Sequence, residues 1–262
     1  MSRARLLLLF VFTLALCGPA ASAGGSGRKS PARPVLPTSA QVAAAKRYAS
    51  SRAGIVSFTI VNSRGKRYSL AGDRQFLSAS VTKVMLLACF LNMKAVAHEP
   101  LTSTERGELR AMITLSDNKA ADEIYDEVGD VHLYNLARRL GMRHFSIPGY
   151  WGYAQLTTND QALLMENLPK AIFPRHYAYA RSLLSSIVFW ESWGIPEAAR
   201  PRGWKVFFKG GWRGTDRGRL IHQVARLERR GQLIVICVLT DGDPSTSYGR
   251  ATVYGIAQRL FR

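Results

Sequence analysis

Acidic side chains are scarce in this sequence. Asp and Glu number 18 against 36 Lys and Arg in 262 residues, for a formal net charge of +18. Such an imbalance favours anionic surroundings such as cell-wall polymers, acidic lipid or nucleic acid, and says nothing about the fold. Metal-ligand spacing is also missing. The five histidines (His98, His132, His144, His176, His222) are scattered, and no CxxC pair occurs, so a metal site is not expected and no cofactor is implied. Cysteine is rare. Only Cys89 and Cys237 follow residue 23, both in apolar runs, which leaves a disulfide and two buried thiols equally open. No internal repeat is present.

Long hydrophobic runs are missing as well. The longest near the start, Leu6 to Cys17, is too short to span a bilayer. It follows Arg3 and Arg5 and ends near Ala21-Ser22-Ala23, small residues of the kind a signal peptidase cuts. Residues 1–23 are therefore expected to be a signal peptide, which makes the mature protein extracytoplasmic with no transmembrane segment. Leu16 argues against a lipid anchor on Cys17, because lipoprotein signals share a small residue before the cysteine. Removing Arg3 and Arg5 leaves 18 − 2 = +16. Residues 24–38, rich in Gly, Ser, Pro and basic side chains, read as a flexible linker.

With 47% hydrophobic residues, the remainder suffices for one sizeable core. A helix is expected over 39–52, with Ser39 as N-cap. A strand follows at Ile55–Val61, then a turn at Asn62-Ser63-Arg64-Gly65 and a returning strand at Lys66–Leu70. Periodicity predicts helices at 103–113, 117–128, 131–140, 158–169 and 175–190. Residues 141–156 read as irregular. Strands are expected at Trp204–Phe208, Leu220–Leu227 and Leu233–Thr240, the last two joined around Arg230-Gly231, and a final helix runs from Tyr248 to Phe261. This order implies an α+β fold. One antiparallel sheet is built from both ends of the chain (about 39–78 and 200–262), and a helical part (about 79–199) is set against it. Trp190, Trp193 and Trp204 are expected in the core.

Three short elements could carry chemistry. Ser80-Val81-Thr82-Lys83 places a hydroxyl and an amine on one face of a helix start, followed by a helix apolar on every side. The free backbone N–H groups of that terminus suit a developing oxyanion. Burial would lower the lysine pKa enough for it to act as a base. A Ser-x-x-Lys arises about once by chance in a chain of this size, so alone it carries little. Ser116-Asp117-Asn118 reads either as a helix cap or as a proton relay (Ser116) beside an amide that grips substrate (Asn118). Lys209-Gly210-Gly211 follows the Trp204–Phe208 strand. It reads either as a lysine before a glycine turn or as a bare strand edge for an acyl-peptide, with Lys209 supplying positive charge.

Taken together and in this order, the three elements resemble the motif set of class A β-lactamases and penicillin-binding D,D-peptidases. Phe76-Leu77-Ser78-Ala79 before Ser80, Ser116-Asp117-Asn118-Lys119-Ala120-Ala121-Asp122, and Thr157-Thr158 opening a helix are also similar to that family. The likeness spans about residues 40–262. It implies the β-lactamase/D,D-peptidase-like fold, with a cleft between sheet and helical part. It also implies Ser80 as nucleophile, Lys83 as acylation base, Ser116 as proton relay, Asn118, Lys209, Gly210 and Gly211 at the substrate, and an oxyanion hole from the N–H groups of Ser80 and Trp212.

Two departures qualify that implication. The family's omega loop carries a glutamate that activates the deacylating water, whereas no Asp or Glu occurs between Gly141 and Thr158, where Tyr150, Trp151 and Tyr153 stand instead. The family's hydroxyl after the lysine is replaced by Gly210, for which Arg213 or Thr215 are candidate substitutes. The sequence thus points to an exported serine hydrolase or acyltransferase acting on β-lactam or D-Ala-D-Ala-like groups with slow deacylation. The alternative is a catalytically impaired relative that binds cell-wall material or a partner. Export counts against nucleic acid.

Overall fold

The computed structural model describes residues 34–262; the signal peptide and most of the linker expected at 1–33 lie outside the described residues. Helix α1 (Ser39–Ser50) starts at the residue expected as its cap. Thr38, not Ser39, accepts the Gln41 N–H while the Gln41 side chain accepts the Thr38 N–H, a reciprocal capping box. Strands β1 (Ile55–Val61) and β2 (Arg67–Leu70) form the expected hairpin.

A two-residue strand, β3 (Phe76–Leu77), leads into a 3₁₀ turn at Ala79–Thr82 and then into α2 (Lys83–Phe90), of which every residue is buried. Helices α3 (Lys94–Ala97), α4 (Ser103–Thr114) and α5 (Asn118–Leu140) follow. Gly129 (φ 63°, ψ 169°) breaks α5 into the two helical stretches that periodicity implies. Strand β4 (Gln155–Leu156) pairs with β3. Beyond it lie α6 (Thr158–Glu166), α7 (Leu168–Ala171), α8 (Pro174–Ser185) and α9 (Ile195–Ala199). Helix α8 stops at Ser185 rather than 190. Residues 189–191 instead turn Glu191 into the interior and leave Phe189 and Trp190 outside. Trp190 is 58% exposed, which corrects the expectation of a core residue, whereas Trp193 and Trp204 are buried.

Strands β5 (Lys205–Thr215), β6 (Gly218–Arg229) and β7 (Gln232–Asp243) are each about twice the ordinary strand length. The sheet order is β2-β1-β7-β6-β5, antiparallel throughout, with both chain ends contributing. Strand β5 does not end at Phe208: Lys209, Gly210 and Gly211 pair with Val224, Gln223 and His222 of β6. Glycines that read as a stop are ladder residues. Helix α10 (Thr246–Leu260) and α1 pack together on one face of the sheet. On the other, Thr158 of α6 meets Ser57 and Thr59 of β1 through hydroxyl hydrogen bonds of 2.9 and 3.0 Å. Cys89 and Cys237 are free and buried.

Gly249 of α10 lies hard against the sheet. A Cβ there would stand 2.6 Å from Asp243 Oδ2 and collide with Ile221. Ala ordinarily gains about 1 kcal/mol over Gly inside a helix. Here overpacking of about 1–3 kcal/mol dominates, so Gly249→Ala should lower stability in urea unfolding. A variant as stable as wild type would show that α10 is free to move off the sheet.

Candidate functional site

The site assembles where the 79–82 turn meets β5. Ser80 is half-buried at the second position of that turn, where its own N–H has no intrahelical acceptor. Gly211 permits the approach: a Cβ on it would lie 2.8 Å from the Ser80 backbone nitrogen and 3.1 Å from that of Val81. Ala79, just before Ser80, takes a left-handed φ of 45°. Behind the turn, buried His222 of β6 is held by two backbone groups. Its Nδ1 accepts the Thr240 N–H, so its Nε2–H donates to Leu77 O at 2.8 Å. Burial drives its pKa to about 4, so the ring is a neutral strut between the sheet and the segment before Ser80.

Two lysines are fully buried here, Lys83 on α2 and Lys209 on β5. Both attach to Ser116. Lys83 Nζ donates to Ser116 O (2.7 Å), Asp117 O (3.0 Å) and Asn118 Oδ1 (2.9 Å). Lys209 Nζ donates to Ser116 Oγ (2.8 Å) and Gly210 O (3.0 Å). Ser116 has a left-handed φ of 57°, and Asp117 caps α5 by accepting the Ala120 N–H. Asp117 thus fills the cap role, while Ser116 and Asn118 are bonded to the two buried lysines. Burial first, then the neighbouring Lys209 charge, lowers the Lys83 pKa to about 7. Burial alone brings Lys209 down to about 8, with Glu191 acting upward.

The three hydrogen bonds of Lys83 use all the protons of an ammonium. Among the described residues none of its bonds goes to Ser80. Loss of one proton frees a lone pair, and the lowered pKa makes that loss available near neutrality. Because Asn118 Oδ1 is engaged by Lys83, its Nδ2 donors are the part left for a ligand.

Ser80, Asn118, Trp151, Tyr153, Trp212 and Arg213 line a cleft of about 240 Å³. A larger hollow of about 610 Å³ around Arg74, Gln75, Arg217 and Asp241 contains none of these groups. Trp151 is buried, donates its indole N–H to Asp122 Oδ1 (2.7 Å), and sets its ring over Lys83 Nζ at 4.7 Å. Its neighbours Tyr150 and Tyr153 pack against one another at 5.5 Å, and Arg213 lies over Tyr153 at 4.5 Å.

Of the two candidate substitutes for the missing hydroxyl, Thr215 is committed elsewhere, donating to Asp241 at 2.9 Å. The space beside Gly210 is taken by Trp193, whose ring would lie 3.1 Å from a Cβ there. A methyl group at 210 would require that ring to give by a few tenths of an ångström.

Two groups escaped the sequence reading. Glu191 and Trp193 sit in an apolar stretch without motif. The signal for Glu191 was a single acid inside a run of aromatics, which is expensive to bury unless a cation meets it. It does meet one: Glu191 Oε2 is 3.7 Å from Lys209 Nζ.

A family model described as the beta-lactamase enzyme family matches residues 101–262. No curated protein matches the chain. Among solved structures, the β-lactamase of Sphaerobacter thermophilus is similar at 21% identity and a TM-score of 0.73, over 84% of this chain and 94% of that one. A β-lactamase of Xanthomonas campestris is similar at 19% and 0.70, covering 85% and 97%. One of Chitinophaga pinensis is similar at 15% and 0.71, covering 84% and 97%. At these identities the likeness is one of fold.

The lysine environment can be checked directly. In ¹³C NMR of the ε-labelled protein, one lysine should titrate near pH 7 and another near 8. The first should vanish in Lys83→Ala. A spectrum in which every lysine titrates near 10.4 would contradict the burial of both amines.

Proposed function

The chain belongs to the β-lactamase enzyme family, in its class A-like branch, and on that premise of a serine hydrolase we propose that it forms an acyl-enzyme at Ser80. Its substrates in this reading are β-lactam or D-Ala-D-Ala-like compounds. The observation that carries the reading is the pair of buried lysines meeting at Ser116, beside Asn118, which lines one cleft with Ser80. Neutral Lys83 takes the Ser80 proton, and Oγ attacks the carbonyl carbon. The N–H groups of Ser80 and Trp212 receive the oxyanion. Ser116 passes its proton to the departing nitrogen and is reprotonated from the lysine pair. Asn118 binds the acyl amide, and the Lys209 charge attracts the substrate carboxylate along the Gly210-Gly211 edge.

Release is the weak step in this scheme. No acid lies between Gly141 and Thr158. The Trp151 ring, held by Asp122, lies 4.7 Å from Lys83 Nζ, where it would hinder a hydrolytic water from using that amine. We assign residues 1–23 to an export leader and 24–38 to a linker, with the catalytic unit following in the extracytoplasmic space. There the +16 charge of the mature chain would hold it near anionic cell-wall polymers.

A second reading, a binding protein with a disabled centre, draws on the three Lys83 hydrogen bonds that leave Ser80 aside and on Trp193 filling the place of a hydroxyl.

Mass spectrometry after mixing with benzylpenicillin separates the two. The expected result is an adduct of intact penicillin mass on Ser80 that persists for minutes or longer. It should be absent in Ser80→Ala and form about 10²- to 10⁴-fold more slowly in Lys83→Ala. No adduct on wild type would rule out the β-lactam form of the proposal, and an adduct lost within milliseconds would rule out slow release.

A further inference from the structure

Glu191 is a buried carboxylate that the scheme above leaves unused. It comes from the 189–191 turn between α8 and α9, is 6% exposed, and its Oε2 accepts no hydrogen bond among the described residues. At 3.7 Å from Lys209 Nζ it makes an ion pair too long to be a hydrogen bond. The charged groups facing it are Lys209 on β5, Lys83 on α2 and Arg250 on α10. Asp117, the cap of α5, and Asp122 on α5 act on Lys83 as well, but both are otherwise engaged, by the Ala120 N–H and the Trp151 indole.

Charged Lys209 donates to Ser116 Oγ and Gly210 O and is paired electrostatically with the Glu191 carboxylate. With Nζ donating to it, Ser116 Oγ must direct its own proton elsewhere. Neutral Lys209 would carry a lone pair, and the Ser116 hydroxyl could turn and donate into it. The proton needed on the departing nitrogen would then point away from the cleft. Burial pushes Lys209 toward that neutral state, and Glu191 opposes it.

We infer that Glu191 is a positioning residue whose carboxylate keeps Lys209 charged and thereby fixes the direction in which Ser116 donates its proton. The inference rests on the Ser80 acylation reading for its consequence in catalysis, but not for the lysine charge itself. It also sets a pH rule. Lys83 must be neutral and Lys209 charged, and the two titrate as a coupled pair. Glu191 raises both values, so removing its charge lowers both.

The test compares the full chain with Glu191→Gln and Glu191→Asp. One reading is ε-¹³C lysine NMR without substrate, and the other is the pH profile of acylation by a fluorescent penicillin. In Glu191→Gln both lysine titrations and both limbs of the rate profile should move to lower pH by about one unit or more. Acylation above pH 8 should fall about tenfold or more. Glu191→Asp, one methylene shorter but still charged, should show a smaller shift in the same direction. It decides the matter by itself if Glu191→Gln does not fold. Unchanged titrations and limbs in a folded variant would overturn the inference, leaving Glu191 a packing residue. If wild type forms no Ser80 adduct, the acylation reading fails, and the NMR titrations still decide whether Glu191 holds the charge.

Discussion

The structure is organised around two ammonium groups held dry on either side of one serine. Removing a lysine amine from water costs several kcal/mol even after relaxation. Both amines are 0% exposed, and each is met by a set of oxygens: three for Lys83, and two plus a carboxylate for Lys209. The 116–118 segment supplies four of those oxygens, which explains why it takes the left-handed turn at Ser116 before α5 begins. The apolar α2 supplies the burial. Burial brings both pKa values toward neutrality, aided at Lys83 by the Lys209 charge and opposed at Lys209 by Glu191.

A second constraint is steric. The sheet can reach the 79–82 turn only because β5 has no side chain at 211, and that contact brings the Ser80 N–H to the strand edge. Ala79 and Ser116, both non-glycine residues at positive φ, flank the site. Each costs about 1–3 kcal/mol and persists where the surroundings over-determine it. His222 supplies part of that determination by tying β6 to Leu77. The aromatic group Tyr150, Trp151 and Tyr153 lines the same cleft as Ser80. Under the proposed acylation at Ser80, such a cleft would admit an acyl group and lack an acid to release it.

Much of the fold was readable from local rules. Strand β1 and the break in α5 at Gly129 followed from periodicity and breaker residues, and the buried α2 from the run Val84 to Leu91 without a polar face. Misreadings arose where a local cue competed with a distant partner. Gly210 and Gly211 look like a strand stop, yet ladder pairing with β6 carries β5 on to Thr215. Trp190 looks like core, yet the turn that buries Glu191 faces it outward. Ser39 looks like the cap, but Thr38 has the Gln41 partner at the right spacing.

The sequence by itself determined which residues could do chemistry. Ser80, Lys83, Ser116, Asn118 and Lys209 stood out by type and spacing, and the missing acid between Gly141 and Thr158 was equally plain. Tertiary structure alone decided how charge is shared among them. Lys209 lies 126 residues from Lys83, and no local pattern records that they meet at one serine, that Glu191 answers Lys209, or that Trp193 fills the space beside Gly210. Those contacts depend on packing between the sheet and the helical part. Charges so far apart in sequence interact only once folding has brought them together and excluded the water between them.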